Sequence, residues 1–175
     1  MHSGLITAEL LLVLISPIHM GGSRGAPKNY RPVLLTEHLI KVFERVVRRV
    51  LVRHIDRQGL LPSGQHGSWA MRSTLTTLLS HWDSILDGLE RGEGVDAVYL
   101  DFSKAFDSIS NEYIYESLKF FNFGDYFIKI VRTMLTGRTC TVMIDGYETL
   151  PFNIERGVPQ GDTASPYLFI LVLEI

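Results

Sequence analysis

Residues 99–109, with the sequence YLDFSKAFDSI, constrain this chain more than any other stretch. They place one carboxylate, Asp101, at the end of an apolar run and follow it with an aromatic residue, Phe106, and a second acid, Asp107. A short continuous apolar run suits a central strand buried on both faces, so we expect a strand over residues 95–102. An ionised carboxylate at its end needs a cation or hydrogen-bond donors to offset the cost of desolvation.

The residues alone leave two roles for Asp101 open. Magnesium prefers oxygen ligands and is commonly shared between one or two carboxylates and the phosphates of a substrate. A carboxylate that forms a salt bridge or caps the next turn is equally compatible with the pattern. We expect Asp107 to cap the following helix. Phe106 could stack beneath a bound sugar and exclude a 2'-hydroxyl, although by spacing alone a core phenylalanine is the default.

A second polar cluster, GVPQGDTASP, occupies residues 157–166. Its two glycines and Pro159 give a tight backbone with little side-chain bulk, and Gln160 offers both a donor and an acceptor to a sugar or a base edge. Backbone amides in such a loop can also face phosphate oxygens. The alternative is a structural turn before the last helix.

Composition narrows the class of protein. Of the 175 residues, 46% are hydrophobic and 21% are charged, which is typical of a globular domain or of part of a larger one. A net charge of -2 argues against a uniformly basic nucleic-acid binder, so contacts with phosphates must come from local patches. The single cysteine, Cys140, excludes an internal disulfide and a cysteine-based zinc cluster, and it favours a reducing intracellular setting.

The apolar run near the start of the sequence predicts no membrane-spanning segment. Residues 5–18 are apolar, but they lack an early basic region, carry Glu9 and are too short to span a bilayer. We interpret them as a disordered start followed by a buried strand near residues 11–15, with a targeting signal as the minor alternative. Residues 17–32 are rich in glycine and proline and predict a long surface loop.

Residues 39–57 predict an amphipathic helix with a basic face. Its apolar positions are Leu39, Phe43, Val46, Val47, Val50 and Leu51. The candidate nucleic-acid contacts on its other face are Lys41, Arg45, Arg48, Arg49 and Arg53. Because Glu44 and Asp56 dilute the positive charge, an ordinary solvated face is equally compatible.

Further helices and a hairpin follow along the chain. A second helix should end near Gly92, with its leucines and Trp82 in the core. Helices are also expected over residues 111–121, 125–135 and 166–175, the last beginning at Pro166 with Ser165 as its cap. Asp145-Gly146 favours the left-handed backbone of a tight hairpin turn between two strands.

Taken together, four ordered motifs resemble the reverse transcriptases of non-LTR (LINE-like) retrotransposons. They are NYRPVLLTEHLIKVFERVV, the glutamine-histidine-glycine at residues 65–67, YLDFSKAFDSI and ERGVPQGDTASPYLFIL. The resemblance covers nearly the whole chain. It implies an α+β right-hand polymerase fold, with a fingers-like region in residues 1–94 and an incomplete palm in residues 95–175.

The resemblance also implies roles for individual residues. Asp101 matches the first catalytic metal ligand, and Phe102 the neighbour whose backbone carbonyl helps to hold the metal. Arg31 matches the arginine that grips the incoming triphosphate, and Phe106 the residue that screens the sugar. Gln160 and Gly161 match the loop that touches nucleotide and template. The implied cofactor is Mg²⁺, two ions in the complete enzyme, and the implied partners are an RNA template, a DNA primer and deoxynucleoside triphosphates.

Departures from the family pattern are equally informative. Met20 stands where the family usually has a lysine, and Ser68 and Trp69 stand where it commonly has phenylalanine and arginine. The sequence contains no Tyr-x-Asp-Asp hairpin, and the flanks of Asn111 resemble different branches of the family. We therefore expect a polymerase fragment that is inactive alone. The alternatives are a non-catalytic nucleic-acid-binding remnant and the product of a decayed element without a stable fold, whose last residues, 167–175, would expose apolar surface.

Overall fold

The computed structural model describes residues 11–61, 63–102 and 104–175. Its helices are α1 (His38–Gln58), α2 (Thr74–Glu90), α3 (Ala105–Ser108), α4 (Asn111–Phe120), α5 (Asp125–Leu135) and α6 (Ser165–Leu173). Its strands are β1 (Leu12–His19), β2 (Tyr30–Leu35), β3 (Thr139–Ile144), β4 (Tyr147–Glu148) and β5 (Phe152–Asn153). This content confirms a mixed α and β fold. The predicted disordered start lies outside the described residues.

The chain divides into two compact units. The first comprises the described residues through Val52 together with Lys104–Ile175, and the second comprises the described residues of the intervening segment. The predicted division into residues 1–94 and 95–175 concerns functional regions of a polymerase and stays a prediction.

In the first unit the strands form one small sheet. The order is β2-β1-β3-β4, with β5 also paired to β3, and β1 runs antiparallel to β2 but parallel to β3. Val13, Ile15, Leu34 and Cys140 form a buried cluster on this sheet. The strand predicted near residues 11–15 is confirmed, but it continues to His19. The predicted loop at residues 17–32 is correspondingly shorter, because both of its ends belong to paired strands.

The hairpin between β3 and β4 turns at the predicted place. Asp145 and Gly146 have φ angles of 51° and 85°, which is the left-handed backbone that a tight two-residue turn requires. Met143 pairs with Glu148 across the ladder, so the register follows directly from the turn.

Helices α4, α5 and α6 complete the core of the first unit. Residues 125–135 form α5 as predicted, and α6 packs against α4. Tyr167, Leu168 and Leu171 of α6 are consequently buried, so the expected exposure of the last apolar residues is wrong except at the tip near Leu173 and Ile175. No helix within the described residues is both long and apolar enough to cross a membrane.

Helix α1 forms where predicted, but its buried face coincides only in part with the predicted one, at Val47 and Leu51. The buried stripe is Ile40, Glu44, Val47 and Leu51, at spacings of three and four residues. Leu39, Val46 and Val50, which the pattern placed in the core, are exposed. The helix carries two apolar stripes, and hydrophobicity alone could not tell which one packs.

In the second unit, a capping box marks the start of α2. The Ser73 and Thr76 side chains form a capping box, each binding the backbone N–H of the other. The predicted burial of its apolar residues is wrong, since Leu75, Leu79 and Trp82 are exposed. Only Gly88 of this helix is buried, so the stripe lacks a packing partner within the described part of the unit.

The strand predicted over residues 95–102 is also wrong. This segment has no strand hydrogen bonding, and Leu100 is 86% exposed. A strand needs a neighbour to satisfy its backbone groups, and the described residues of the second unit contain no other strand. Side chains hold the segment against α2 instead: the Tyr99 hydroxyl lies 2.8 Å from His81 Nε2, and Val95 packs at Gly88.

Candidate functional site

The loop of residues 157–161, hereafter the Gln160 loop, is hydrogen-bonded to two separate elements. Val158 donates its N–H to the carbonyl of Phe106 at 2.8 Å, and Gly157 donates to Ile109 at 2.8 Å. On its other side, the Gln160 carbonyl accepts the N–H of Leu34 in β2 at 3.1 Å. The loop is therefore hydrogen-bonded both to the segment around α3 and to β2, the strand that carries Arg31.

Two glycines allow the backbone of the Gln160 loop to lie close to α3 and to β2. Gly157 has a φ of +86°, and a Cβ added there would lie 2.9 Å from the carbonyl oxygens of Phe106 and Asp107. Gly161 has a φ of +111°, and its Cβ would lie 3.2 Å from the Leu34 carbonyl oxygen. Any other residue would be strained at both positions, so the glycines are needed for backbone packing.

The side chains of Gln160 and Asp107 bind each other. Gln160 Nε2 donates to Asp107 Oδ1 at 2.8 Å, across 53 positions of sequence. The predicted capping role of Asp107 is wrong, because Asp107 lies within α3 and Ser110 caps α4 by accepting the N–H of Glu112 at 3.2 Å. Sequence reasoning placed Gln160 at the site but gave Asp107 no part in it.

Phe106 packs on α6. Its ring stacks on that of Phe169, with centroids 4.8 Å apart and planes 19° apart. Phe106 packs on this helix but is only partly buried. This placement fits both interpretations of the residue, core packing and contact with a bound sugar, and the screening role stays a prediction.

Arg31 lies in β2, opposite Ile18 of β1, and is exposed. Side chains alternate along a strand, so Arg31 and Val33 share one face. Val33 approaches the position of a Cβ at Gly161 to 3.9 Å, which places this face of β2 beside the Gln160 loop. Arg31, Phe106, Gln160 and Gly161 are thus all carried by the first unit.

Asp101 and Phe102 belong to the second unit, and both are exposed. Among the residues that the structure describes, no three His, Cys, Asp or Glu side chains cluster in a way that could hold a metal ion. One carboxylate and one backbone carbonyl are donors that suit magnesium, but they form only part of a ligand set. The described residues do not complete a magnesium site.

A buried carboxyl pair lies directly behind the Gln160 loop. Glu44 of α1 is 2% exposed, Asp162 is 8% exposed, and their carboxyl groups are hydrogen-bonded to each other. Burial, reinforced by the neighbouring Asp162, raises the pKa of Glu44 to about 8. Burial also raises the pKa of Asp162, although the N–H of Ala164 at 2.7 Å stabilises its charged form. Burial therefore favours one proton between the two carboxyl groups over two separate charges.

Sequence reasoning missed this pair by assigning Glu44 to the charged face. A usable signal was present, because Glu44 falls four residues after Ile40 and three before Val47, inside the buried stripe. A carboxyl group in an apolar stripe predicts a buried partner.

Arg138 is a further buried polar residue that the sequence did not reveal. It is 3% exposed, and it donates from Nε to Leu135 and from Nη2 to the Gly157 carbonyl at 2.9 Å. Burial lowers the pKa of this guanidinium. Together with Asp107, Pro159 and Arg156, it lines a cavity of about 230 Å³ beside the Gln160 loop.

The basic residues of α1 differ in their surroundings. Arg48 donates from Nη2 to the Tyr167 hydroxyl at 3.0 Å and lies 5.2 Å from the centre of that ring. Arg45, Arg48, Arg49 and Arg53 are exposed, and Lys41 is partly so. Arg48 differs in that its guanidinium also contacts Tyr167.

Comparisons with known proteins identify the family. The family model described as reverse transcriptase (RNA-dependent DNA polymerase) matches residues 21–175. The chain is 30% identical over 161 residues to a probable RNA-directed DNA polymerase from transposon X-element of Drosophila melanogaster, covering 91% of this chain and 18% of that protein.

Two further relatives carry similar names. The chain is 30% identical over 154 residues to a retrovirus-related Pol polyprotein from type-1 retrotransposable element R2 of Popillia japonica, covering 87% of this chain and 21% of that protein. It is 30% identical over 142 residues to an RNA-directed DNA polymerase from mobile element jockey of Drosophila melanogaster, covering 81% of this chain and 15% of that protein. The chain spans about a fifth of the length of these relatives. It belongs to the reverse transcriptase family and is similar to the enzymes of non-LTR retrotransposons.

Proposed function

We propose that this chain carries the nucleotide-facing part of an RNA-directed DNA polymerase, acting on an RNA template, a DNA primer and deoxynucleoside triphosphates. One observation carries the proposal: the Gln160 loop is hydrogen-bonded at once to the Phe106 backbone and to the strand of Arg31. The family resemblance assigns nucleotide contacts to residues that are far apart in sequence. These residues all belong to the first unit.

Each side chain suits the part of the nucleotide assigned to it. The Arg31 guanidinium is exposed and can donate two parallel hydrogen bonds to a phosphate. Phe106 is braced by Phe169, so its ring is held rigidly enough to reject a 2'-hydroxyl by steric contact. Gln160 and Gly161 supply an amide and an unhindered backbone for the nucleotide and template.

The metal-binding role falls to Asp101 and to the carbonyl of Phe102. Two bound Mg²⁺ ions would supply activation of the attacking primer hydroxyl and stabilisation of the leaving pyrophosphate. One carboxylate cannot hold both ions, and we propose that the chain by itself does not extend a primer. In the full protein, Asp101 would act with carboxylates from other parts of the sequence.

Primer extension by the full protein that carries this chain tests the proposal. With an RNA template, deoxynucleotides and Mg²⁺, Asp101→Ala should abolish extension, since it removes a metal ligand. Asp96→Ala is the matched control, because Asp96 is an exposed aspartate five positions earlier in the same unit. Extension that survives Asp101→Ala at the control level would reject the assignment.

A second candidate function is binding of nucleic acid without catalysis. It is favoured by Lys41, Arg45, Arg49 and Arg53, which recur at every fourth position of α1 and so lie along one side of the helix. Such binding should weaken steeply with salt and should not respond to Asp101→Ala.

A further inference from the structure

The hydrogen bond between Gln160 and Asp107 fixes the orientation of an amide that is otherwise ambiguous. An ionised aspartate only accepts hydrogen bonds, so Nε2 of Gln160, and not Oε1, must face it. The carboxylate also makes the bond charge-assisted, which is a stronger class than a bond between neutral groups. Gln160 Oε1 is thereby directed away from Asp107 and is left as the acceptor for another group.

Both ends of this bond are held by their own backbones. The Phe106 carbonyl accepts Val158 N–H, and the Gln160 carbonyl accepts Leu34 N–H. Gly157 brings the two segments into van der Waals contact at the Asp107 backbone. Because the flanking backbone is already ordered, the side-chain bond costs little additional entropy and can fix the amide rigidly.

The surroundings of the Asp107 carboxylate favour Gln160 as its partner. Ser110, not Asp107, caps α4, and no ion pair of Asp107 is found among the described residues. Two cations, Arg138 and Arg156, line the same cavity as Asp107. Arg138 donates its hydrogen bonds to two backbone carbonyls, and Arg156 is exposed to solvent. The carboxylate is therefore available to hold the Gln160 amide.

We propose that Asp107 is a positioning residue, which holds the Gln160 amide so that its acceptor oxygen faces the incoming nucleotide. The inference rests on the proposed function, since it takes Gln160 to contact that nucleotide. Asp107 itself touches no substrate in this scheme. Its loss should weaken nucleotide binding in the ground state and transition state alike, which raises KM for the deoxynucleotide and leaves kcat nearly unchanged.

Single-nucleotide incorporation by the full protein measures this effect. Asp107→Asn keeps the shape of the side chain but lets the amide of Gln160 bind in either orientation, and we expect KM to rise about tenfold. Gln160→Ala should raise KM at least as much, and the double variant should be no worse than Gln160→Ala alone. Glu155→Gln is the matched control, because Glu155 is an exposed acid five positions before Gln160.

Strictly additive effects of the two substitutions, or an unchanged KM in Asp107→Asn, would overturn the proposal. A fall in kcat with KM unchanged would also overturn it, because it would indicate a role in the chemical step. If the wild-type protein incorporates no nucleotide at all, the proposed function fails, and the hydrogen bond must then be tested separately.

Nuclear magnetic resonance of the 175-residue chain provides that separate test. The sequence has three glutamines, Gln58, Gln65 and Gln160, so selective ¹⁵N-glutamine labelling gives at most three pairs of side-chain amide signals. The Gln160 amide should exchange with solvent more slowly than that of Gln65, whose Nε2 donates to a backbone carbonyl at 3.3 Å. Asp107→Asn should abolish the difference, whereas equal exchange in the wild type would refute the bond without bearing on catalysis.

Discussion

Glu44 and Asp162 share a proton between two buried carboxyl groups, one on α1 and one immediately after the Gln160 loop. Glu44 Oε2 is buried and finds no hydrogen-bond donor among the described groups, which a proton on the carboxyl pair would remedy. Lys41 and the backbone N–H of Thr163 also face Glu44, and Arg138 acts on Asp162. These contacts place the ionisation of the carboxyl pair next to the Gln160 loop.

The pair predicts how stability depends on pH. The pKa of Glu44 is about 8 in the folded chain against 4.5 as its ordinary value, so the folded state holds its proton more tightly. Its contribution to the free energy of unfolding is complete below about pH 4.5 and is lost as the pH rises towards about 8. Glu44→Gln should remove this loss, because the amide cannot ionise.

Urea denaturation at several pH values checks the prediction. The wild-type chain should lose stability from about pH 5 to about pH 8 relative to Glu44→Gln. Glu37→Gln is a suitable control, because Glu37 is exposed just before α1. Parallel pH profiles for wild type and Glu44→Gln would contradict the shared proton.

Gly157→Ala should destabilise the first unit by about 1–3 kcal/mol. The added Cβ would lie 2.9 Å from two backbone oxygens, and the φ of +86° is unfavourable for alanine. Gly25→Ala serves as the control, since its Cβ would meet nothing closer than the Ser23 hydroxyl at 3.9 Å. Thermal unfolding of the two variants should separate them clearly, and equal melting temperatures would show that the loop relaxes at no cost.

Arg48 and Arg49 are adjacent cations that should behave differently. Arg48→Ala removes hydrogen bonds to the Tyr167 hydroxyl and should cost about 1 kcal/mol of folding stability. Arg49→Ala should leave stability unchanged and reduce the salt dependence of RNA binding by a slope of about 1. Denaturation and binding titrations on both variants test this. A loss of stability in Arg49→Ala without one in Arg48→Ala would contradict the two assigned roles.

The sequence predicted the helices and turns that depend on neighbouring residues in the chain. Helix α5 follows from its apolar spacing and flanking glycines, and the turn at Asp145-Gly146 follows from residues that tolerate a positive φ. The assignment of Gln160 to the candidate site came from the family resemblance, and its nucleotide contact stays a prediction.

Long-range partners account for what the sequence did not reveal. Residues 95–102 have the composition of a central strand, but strand formation depends on a neighbour that no local pattern encodes. Asp107 finds its partner across 53 positions, and Glu44 finds Asp162 across a greater separation, so no local pattern identified either partner. Two apolar stripes on α1 left its buried face undetermined for the same reason.

The residues around the Gln160 loop are proposed to bind the nucleotide of an RNA-templated polymerase. The most direct measurement is the ratio of deoxynucleotide to ribonucleotide incorporation on an RNA template by the full protein, for wild type and Phe106→Ala. Phe120→Ala is the control, because Phe120 is an exposed phenylalanine on α4. We predict that Phe106→Ala lowers the ratio by about a hundredfold while the control leaves it unchanged. An undiminished preference for deoxynucleotides in Phe106→Ala would contradict the account.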